Sequence, residues 1–315
     1  MVSEPLTNRP RLVIVLGPTG VGKSRLAIEL AEEFGGEIIN ADSMQVYKYM
    51  DIGTGKPTPE EQKRVRHHLI DVVSPDQPFH AGFYRTLGRR MIEQLEGRRK
   101  SVLIVGGTGL YIKALTQGLF PSPPVDPDIR ERLKREEEEK GSGFLYERLK
   151  EADPKTAAQL HHHDLFRIVR ALEVFESTGS PISFFREQHR FGDRPYHLLK
   201  IGLEMDRAKL YQRIEERVDR MMERGFLEEV ERLMGMGYGP QLKPMQSLGY
   251  KQLIRFLLKK TDRVESVRQI KRDTRHYAKR QWTWFKADPE IRWSDESLDR
   301  QKISREVSSF LTGGG

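Results

Sequence analysis

Apolar residues are unevenly spread along this 315-residue chain. They gather in five short runs bounded by Gly, Pro or polar residues: RLVIVLG (11–17), GEIINAD (36–42), HHLIDVV (67–73), SVLIVGG (101–107) and HLLKIGLEM (197–205). Runs this short, rich in β-branched residues, predict buried strands. Between them the period changes. From Ser24 to Phe34 the apolar positions are 26, 27, 30, 31 and 34, one face of a helix. Residues 143–161, 165–179 and 206–237 are helical in period, and 129–140 are charged and helix-compatible. Strands alternating with helices predict a parallel five-stranded sheet with helices on both faces.

The stretch between the fourth and fifth runs is too long for a structureless loop. It opens on the proline-rich PSPPVDPD (121–128) and continues in helical patterns, which predicts an inserted helical domain. The expected division is a core of 1–120 and 196–315 around an insert of 121–195. The closing TGGG (312–315) reads as a disordered tail.

Composition narrows the function classes. No run of about 18 apolar residues exists, so no membrane span is expected. The opening MVSEPLTNRP lacks an apolar core, so it does not read as a secretory signal. The absence of cysteine excludes disulfides, thiolate-bound zinc and thiol catalysis, and fits a reducing cytosol. The net charge of +8 is concentrated near the end: Lys243 to Lys286 holds 13 basic and 3 acidic residues. Such an excess suggests a polyanion partner or, more plainly, a solvated basic face. Arg268, Arg272, Arg275 and Lys279 recur at helical spacing as one stripe, interleaved with Tyr277, Trp282, Trp284 and Phe285. Trp284 is expected in the core.

The sharpest chemistry lies at GPTGVGKS (17–24), a Gly-x-x-x-x-Gly-Lys-Ser loop between a strand and a helix. That geometry aims backbone N–H groups and a helix dipole at an anion. Lys23 is expected to reach phosphates, and the Ser24 hydroxyl to face a Mg²⁺ bound to them. Asp42 and Ser43 follow the second strand, at the sheet edge where ligands bind in open parallel sheets. Position alone leaves Asp42 as a general base, a Mg²⁺ ligand or a helix cap. The fourth strand ends in Gly106, Gly107 and Thr108, where a phosphate-loop ATPase would carry an Asp. His161, His162 and His163 are adjacent on the chain and do not read as one metal site. Glu136 to Glu139 read as a solvated helix face.

Taken together, GPTGVGKS, NADSMQVY (40–47), GTGKP (53–57), HHLID (67–71), GGTGLY (106–111), RIVRALEVF (167–175), GFLEEV (225–230), QSLGYKQ (246–252) and YAKRQWTWF (277–285) resemble the tRNA dimethylallyltransferase family, from about residue 11 to 293. The resemblance implies a P-loop, nucleotide-kinase-like α/β fold. It also implies transfer of a dimethylallyl group from dimethylallyl pyrophosphate to N6 of adenosine 37 in tRNA. Gly17, Pro18, Thr19, Gly20, Val21, Gly22, Lys23, Ser24 and Arg224 would then hold the donor pyrophosphate, with Mg²⁺ at Ser24. Asp42 would be the base, with Thr108 and Arg217 meeting the leaving group. The tRNA anticodon stem-loop would be gripped by Asp42, Ser43, Met44, Gln45 and Thr108. The insert would add Arg130, Phe166, Arg167, Ile168, Val169 and Arg170. The last part would add Gln246, Ser247, Leu248, Gly249, Tyr250, Lys251, Arg272, Arg275 and Lys279. A cytoplasmic monomer is expected. A nucleotide kinase, an adenylate isopentenyltransferase acting on free AMP, and a non-catalytic RNA-binding protein are the competing readings.

Overall fold

The computed structural model describes residues 9–120, 126–189, 192–295 and 299–313. The first part of the proline-rich boundary (121–125) and the last two residues of the expected tail lie outside these. The chain divides into two compact units, Met1–Thr116 with Arg194–Gly315, and Gln117–Asp193.

The first unit is an α/β sheet domain. Its strands are β1 (Arg11–Leu16), β2 (Gly36–Asn40), β3 (His67–His68), β4 (Ser101–Gly106), β5 (His197–Glu204) and β6 (Ile291–Asp295). They lie in the order β3-β2-β4-β1-β5-β6, and every pairing is parallel. β1 is central and buried on both faces, which is why it reads as an unbroken apolar run. Leu12, Ile14 and Leu16 enter one core, and Val13 and Val15 the opposite one. Helices α1 (Lys23–Glu33), α2 (Pro59–Arg64), α3 (Ala81–Gly97) and α4 (Gly109–Gln117) belong to the first half of the chain.

The sheet has six strands rather than five. β6, in IRWSD, is an edge strand that buries Ile291 and Ser294, leaves Trp293 and Asp295 half-buried and exposes Arg292, so it carries no apolar run. Its Trp293 stacks on Trp282 with ring centres 5.5 Å apart. The third strand is shorter than the expected 67–73. Leu69 (φ 58°) and Asp71 (φ 52°) adopt left-handed backbone, which ends the extended conformation after His68.

The second unit is helical: α5 (Pro127–Lys140), α6 (Phe144–Ala152), α7 (Pro154–Ala157), α8 (Leu165–Thr178) and α9 (Ile182–His189). Leu133, Leu145, Leu149, Ile168, Val169 and Leu172 form its core. A fully buried carboxylate, Glu173, is satisfied by Arg130 and Arg170 at 2.8 Å each and by the Asp126 N–H at 2.9 Å. The acidic run is not simply solvated. Glu136 pairs with Arg132 and Arg148, and Glu137 accepts the N–H groups of Gly143 and Leu145, capping α6.

The chain then returns to the sheet domain through β5 and adds α10 (Arg207–Glu223), α11 (Phe226–Gly235), α12 (Tyr250–Leu257), α13 (Arg263–Lys286) and α14 (Arg300–Thr312).

Candidate active site

The loop joining β1 to α1 bends through Gly17, Gly20 and Gly22, all at positive φ. Gly17 is also sterically required: a Cβ there would lie 2.6 Å from the Leu203 carbonyl oxygen. The turn delivers the N-terminus of α1 to a cavity of about 550 Å³. Thr19, Gly20, Gly22, Lys23 and Ser24 line it, with Asp42 from the end of β2. The opposite wall is basic. Arg213, Arg217, Arg220 and Arg224 recur at helical spacing along α10 and all line this cavity. Sequence reasoning named only Arg217 and Arg224; the 4-3-4 spacing was the signal for the other two.

Lys23 donates to the Pro18 carbonyl at 2.8 Å. Burial lowers its pKa to about 8, opposed by the Asp42 carboxylate and reinforced by Arg217. The Arg217 guanidinium is pushed down in the same way, chiefly by burial, with Asp42 opposing. Lys23 and Arg217, at a helix N-terminus, make a receptive anion site, although Asp51, Glu61 and Glu216 line the same cavity and Arg220 is paired with Glu216.

A second cavity of about 510 Å³ lies between the β2 end and α12–α13. Thr19, Asp42, Thr54, Arg217 and Met221 line both cavities, so the two chambers meet there. Ser43, Met44, Ser247, Leu248, Gly249 and Lys251 line the second, as do His276, Tyr277 and Arg280 from α13. The Asp42 Oδ1 accepts the Met44 N–H at 2.8 Å, so part of the carboxylate closes its own turn. Thr108 borders neither cavity. Its hydroxyl accepts the Ser43 N–H at 3.0 Å and donates to the Ser43 Oγ at 3.3 Å, tying the β4 end to the β2 end.

The loop 51–55 is held from behind. Glu229, buried on α11, accepts the N–H groups of Asp51 (2.9 Å), Ile52 (2.7 Å) and Gly53 (3.1 Å) and the Tyr250 hydroxyl (2.7 Å). Gln45 donates to the Thr54 and Gly55 carbonyls of the same loop. Lys56 spans Asp51 and Asp71 at 2.5 and 2.6 Å.

Several residues expected at the tRNA stand elsewhere. Ile168 and Val169 are core residues, and Arg130 and Arg170 neutralise Glu173, whereas Phe166 (70% exposed) and Arg167 face solvent. Tyr250 is wholly buried with its hydroxyl on Glu229, and burial, reinforced by that carboxylate, holds its phenol well above the usual range. Gln246 bonds the Pro240 carbonyl. Arg272 pairs with Asp273 and Arg275 with Glu215, while Lys279 is exposed. Ile270, Thr274, Ala278, Gln281 and Phe285 form the buried face of α13. That face turns His276, Tyr277 and Arg280 toward the cavity rather than the predicted stripe. Trp284 is 47% exposed; its neighbour Phe285 takes the core position.

The parallel α/β domain thus carries two cavities that meet at Asp42 and Arg217, by the carboxyl edge of the sheet where open parallel sheets bind ligands. The chain belongs to the IPP transferase family, whose model matches residues 45–288. It is 52% identical over 306 residues to the tRNA dimethylallyltransferase of Desulfosudis oleivorans, covering 97% of this chain and 98% of that one. It is 54% identical to the enzyme of the same name from Syntrophobacter fumaroxidans, covering 94% and 86%. The crystal structure of a tRNA isopentenylpyrophosphate transferase from Bacillus halodurans aligns with a TM-score of 0.71 at 37% identity, covering 97% of each chain. A eukaryotic dimethylallyltransferase crystallised acting on tRNA aligns at 0.81 and 28% identity, covering 97% of this chain and 80% of that one.

Proposed function

We propose that this chain is a tRNA dimethylallyltransferase that moves the dimethylallyl group of dimethylallyl pyrophosphate to N6 of adenosine 37, beside the anticodon, and releases pyrophosphate. The observation that carries this reading is the pair of cavities sharing Asp42 and Arg217. A small anionic donor in the basic chamber and a base from a polyanionic acceptor in the other would meet at the carboxylate.

In the reaction, the N6 lone pair attacks C1 of the allylic chain. The C1–O bond breaks with its electron pair going to pyrophosphate, and an N6 proton passes to Asp42. The Asp42 oxygen outside the Met44 turn is the acceptor. Lys23 and Arg217 meet the charge growing on the leaving group, and the α1 N–H groups add to it. Arg224, at the exposed end of α10, belongs to the donor's entry. Thr108 acts by holding Ser43 beside Asp42. The Ser24 hydroxyl, a hard oxygen donor on the wall of the basic cavity, fits Mg²⁺, which binds through few protein ligands together with substrate phosphates. Bound there, Mg²⁺ would neutralise pyrophosphate charge.

The acceptor adenine must leave its stack to reach Asp42. Ser43, Met44 and the Ser247–Lys251 segment would grip it, with His276 and Arg280 meeting the backbone. Phe166 and Arg167 of the helical unit offer an exposed aromatic and a cation to the same RNA. Among the described residues no helix is long and apolar enough to cross a membrane. We place the working enzyme in the cytoplasm as a monomer.

The test supplies Mg²⁺ and labelled dimethylallyl pyrophosphate with bulk tRNA, AMP or adenosine. Label should enter tRNA alone. Label in AMP would establish the adenylate isopentenyltransferase reading, and label in none would refute the transfer.

A further inference from the structure

Gln281 lies on the buried face of α13, 262 residues from the glycine loop, yet its side chain joins that loop to β4. Its Oε1 accepts the Thr19 N–H at 2.8 Å and its Nε2 donates to the Gly107 carbonyl at 2.9 Å. The partners fix the amide's orientation, since a backbone N–H only donates and a carbonyl only accepts. The fit is tight: a Cβ on Gly107 would stand 2.1 Å from Nε2.

The two ends of this clip are not arbitrary. Thr19 lines both cavities. Gly107 precedes Thr108, whose N–H bonds the Ala41 carbonyl and whose hydroxyl holds Ser43, the residues on either side of Asp42. One planar group therefore spans the donor loop and the end of β4, whose Thr108 in turn holds the residues beside Asp42. The loop turns through three glycines at positive φ, where no side chain of its own braces it. With the Thr19 N–H engaged by Gln281, the donors left for an anion are those nearer the start of α1.

We propose that Gln281 is a positioning residue that sets the separation between the pyrophosphate loop and Asp42, so that the donor's C1 and the base are held in register. The proposal rests on the reading of the loop as the donor site. Gln281 touches no reacting atom; it acts through Thr19 and Gly107.

The probe is inorganic pyrophosphate with Mg²⁺, titrated by calorimetry, alongside donor KM and single-turnover rate with tRNA. Gln281→Met keeps the length and loses both bonds. It should weaken pyrophosphate binding about tenfold, the scale of two net hydrogen bonds, and slow the single turnover by at least as much. Gln281→Glu keeps the acceptor for Thr19 and loses the donor for Gly107. It should lose more turnover than pyrophosphate affinity, even though its charge faces the anion site, a split that general destabilisation would not produce. Gly107→Ala displaces the amide with Gln281 intact and should reproduce Gln281→Met, which covers the case of a poorly folded Met variant. Affinity for tRNA should stay unchanged throughout. Wild-type affinity and turnover in both Gln281→Met and Gly107→Ala would overturn the proposal, as would failure of the wild type to bind pyrophosphate. If the wild type binds pyrophosphate and the variants lose it, but no tRNA is modified, the positioning role stands and the proposed reaction falls.

Discussion

Replacing Glu229 by Gln should destabilise the protein by an amount that its hydrogen bonds allow to be worked out. Oε2 receives the Asp51 and Ile52 N–H groups, and Oε1 receives the Gly53 N–H and the Tyr250 hydroxyl. An amide has one oxygen, so its NH₂ must face one of these pairs. The better orientation turns the NH₂ toward the Oε1 pair, because the Tyr250 hydroxyl can rotate and accept. The Gly53 N–H is then left facing a donor, at a cost of about 1–3 kcal/mol, and the other bonds lose their charge assistance. The expected loss is about 2 kcal/mol, or a Tm fall of roughly 4–8 °C for a domain of this size. Glu229→Ala strands three N–H groups and a hydroxyl and should cost about 4 kcal/mol or more, unless water fills the space. Tyr250→Phe removes one donor and should cost about 1 kcal/mol. Urea unfolding at constant m reads all three. Because Asp51, Ile52, Thr54 and Gly55 line the basic cavity, pyrophosphate affinity should fall with Glu229→Gln as well. A Glu229→Gln protein within about 0.5 kcal/mol of wild type and with wild-type affinity would refute the argument that this carboxylate shapes the loop.

Asp42→Asn keeps the turn and removes the proton acceptor, so the single-turnover rate should drop by about 10²- to 10⁴-fold with pyrophosphate still bound; a near-normal rate would leave Asp42 a turn-closing residue. With its pKa lowered to about 8, Lys23 is charged below that pH and neutral above it. Donor kcat/KM should therefore fall as pH rises through about 8, and a profile that stays flat well into the alkaline range would contradict the assigned role of Lys23. Replacing Arg280 by Gln should lower the slope of log tRNA affinity against log salt by roughly 0.7–0.9 for the phosphate left without its cation. Arg272→Gln and Arg275→Gln, already engaged by Asp273 and Glu215, should change the slope less. Parallel salt lines for the Arg280 variant would remove this face of α13 from the RNA surface.

What could be read from the chain in advance was local. Strand, glycine loop and helix are adjacent in GPTGVGKS, and Asp42 follows its strand directly, so spacing alone located them. The residues that hold this site together have distant partners: Glu229 reaches back to Asp51, and Gln281 to Thr19. No short-range pattern marks either. Consecutive residues were the weak point. Arg167 to Arg170 cannot all face one way on a helix, and the period that buries Ile168 and Val169 turns Arg167 outward. Trp284 and Phe285 differ for the same reason. The basic stripe was real as a spacing, but its carboxylate partners lie on α10 and on α13 itself, which charge counting cannot see. β6 was missed because IRWSD buries one aliphatic residue, Ile291, and a serine, Ser294, and so shows no apolar run.

The central strand has a consequence for synthesis. β1 pairs with β4 on one side and β5 on the other, so Arg11 waits for His197 to leave the ribosome. At about 5–20 residues per second that delay is of the order of ten to forty seconds. All the helical unit's core residues lie within 117–193 and emerge before β5 does. The nascent chain would thus carry a completed helical unit attached to a half-built sheet, with one edge of β1 open. A β1 edge open for that long is a target for chaperones and for pairing with a neighbouring nascent copy. Slowing translation between β4 and β5 should lower the soluble yield of this protein more than slowing it after β6.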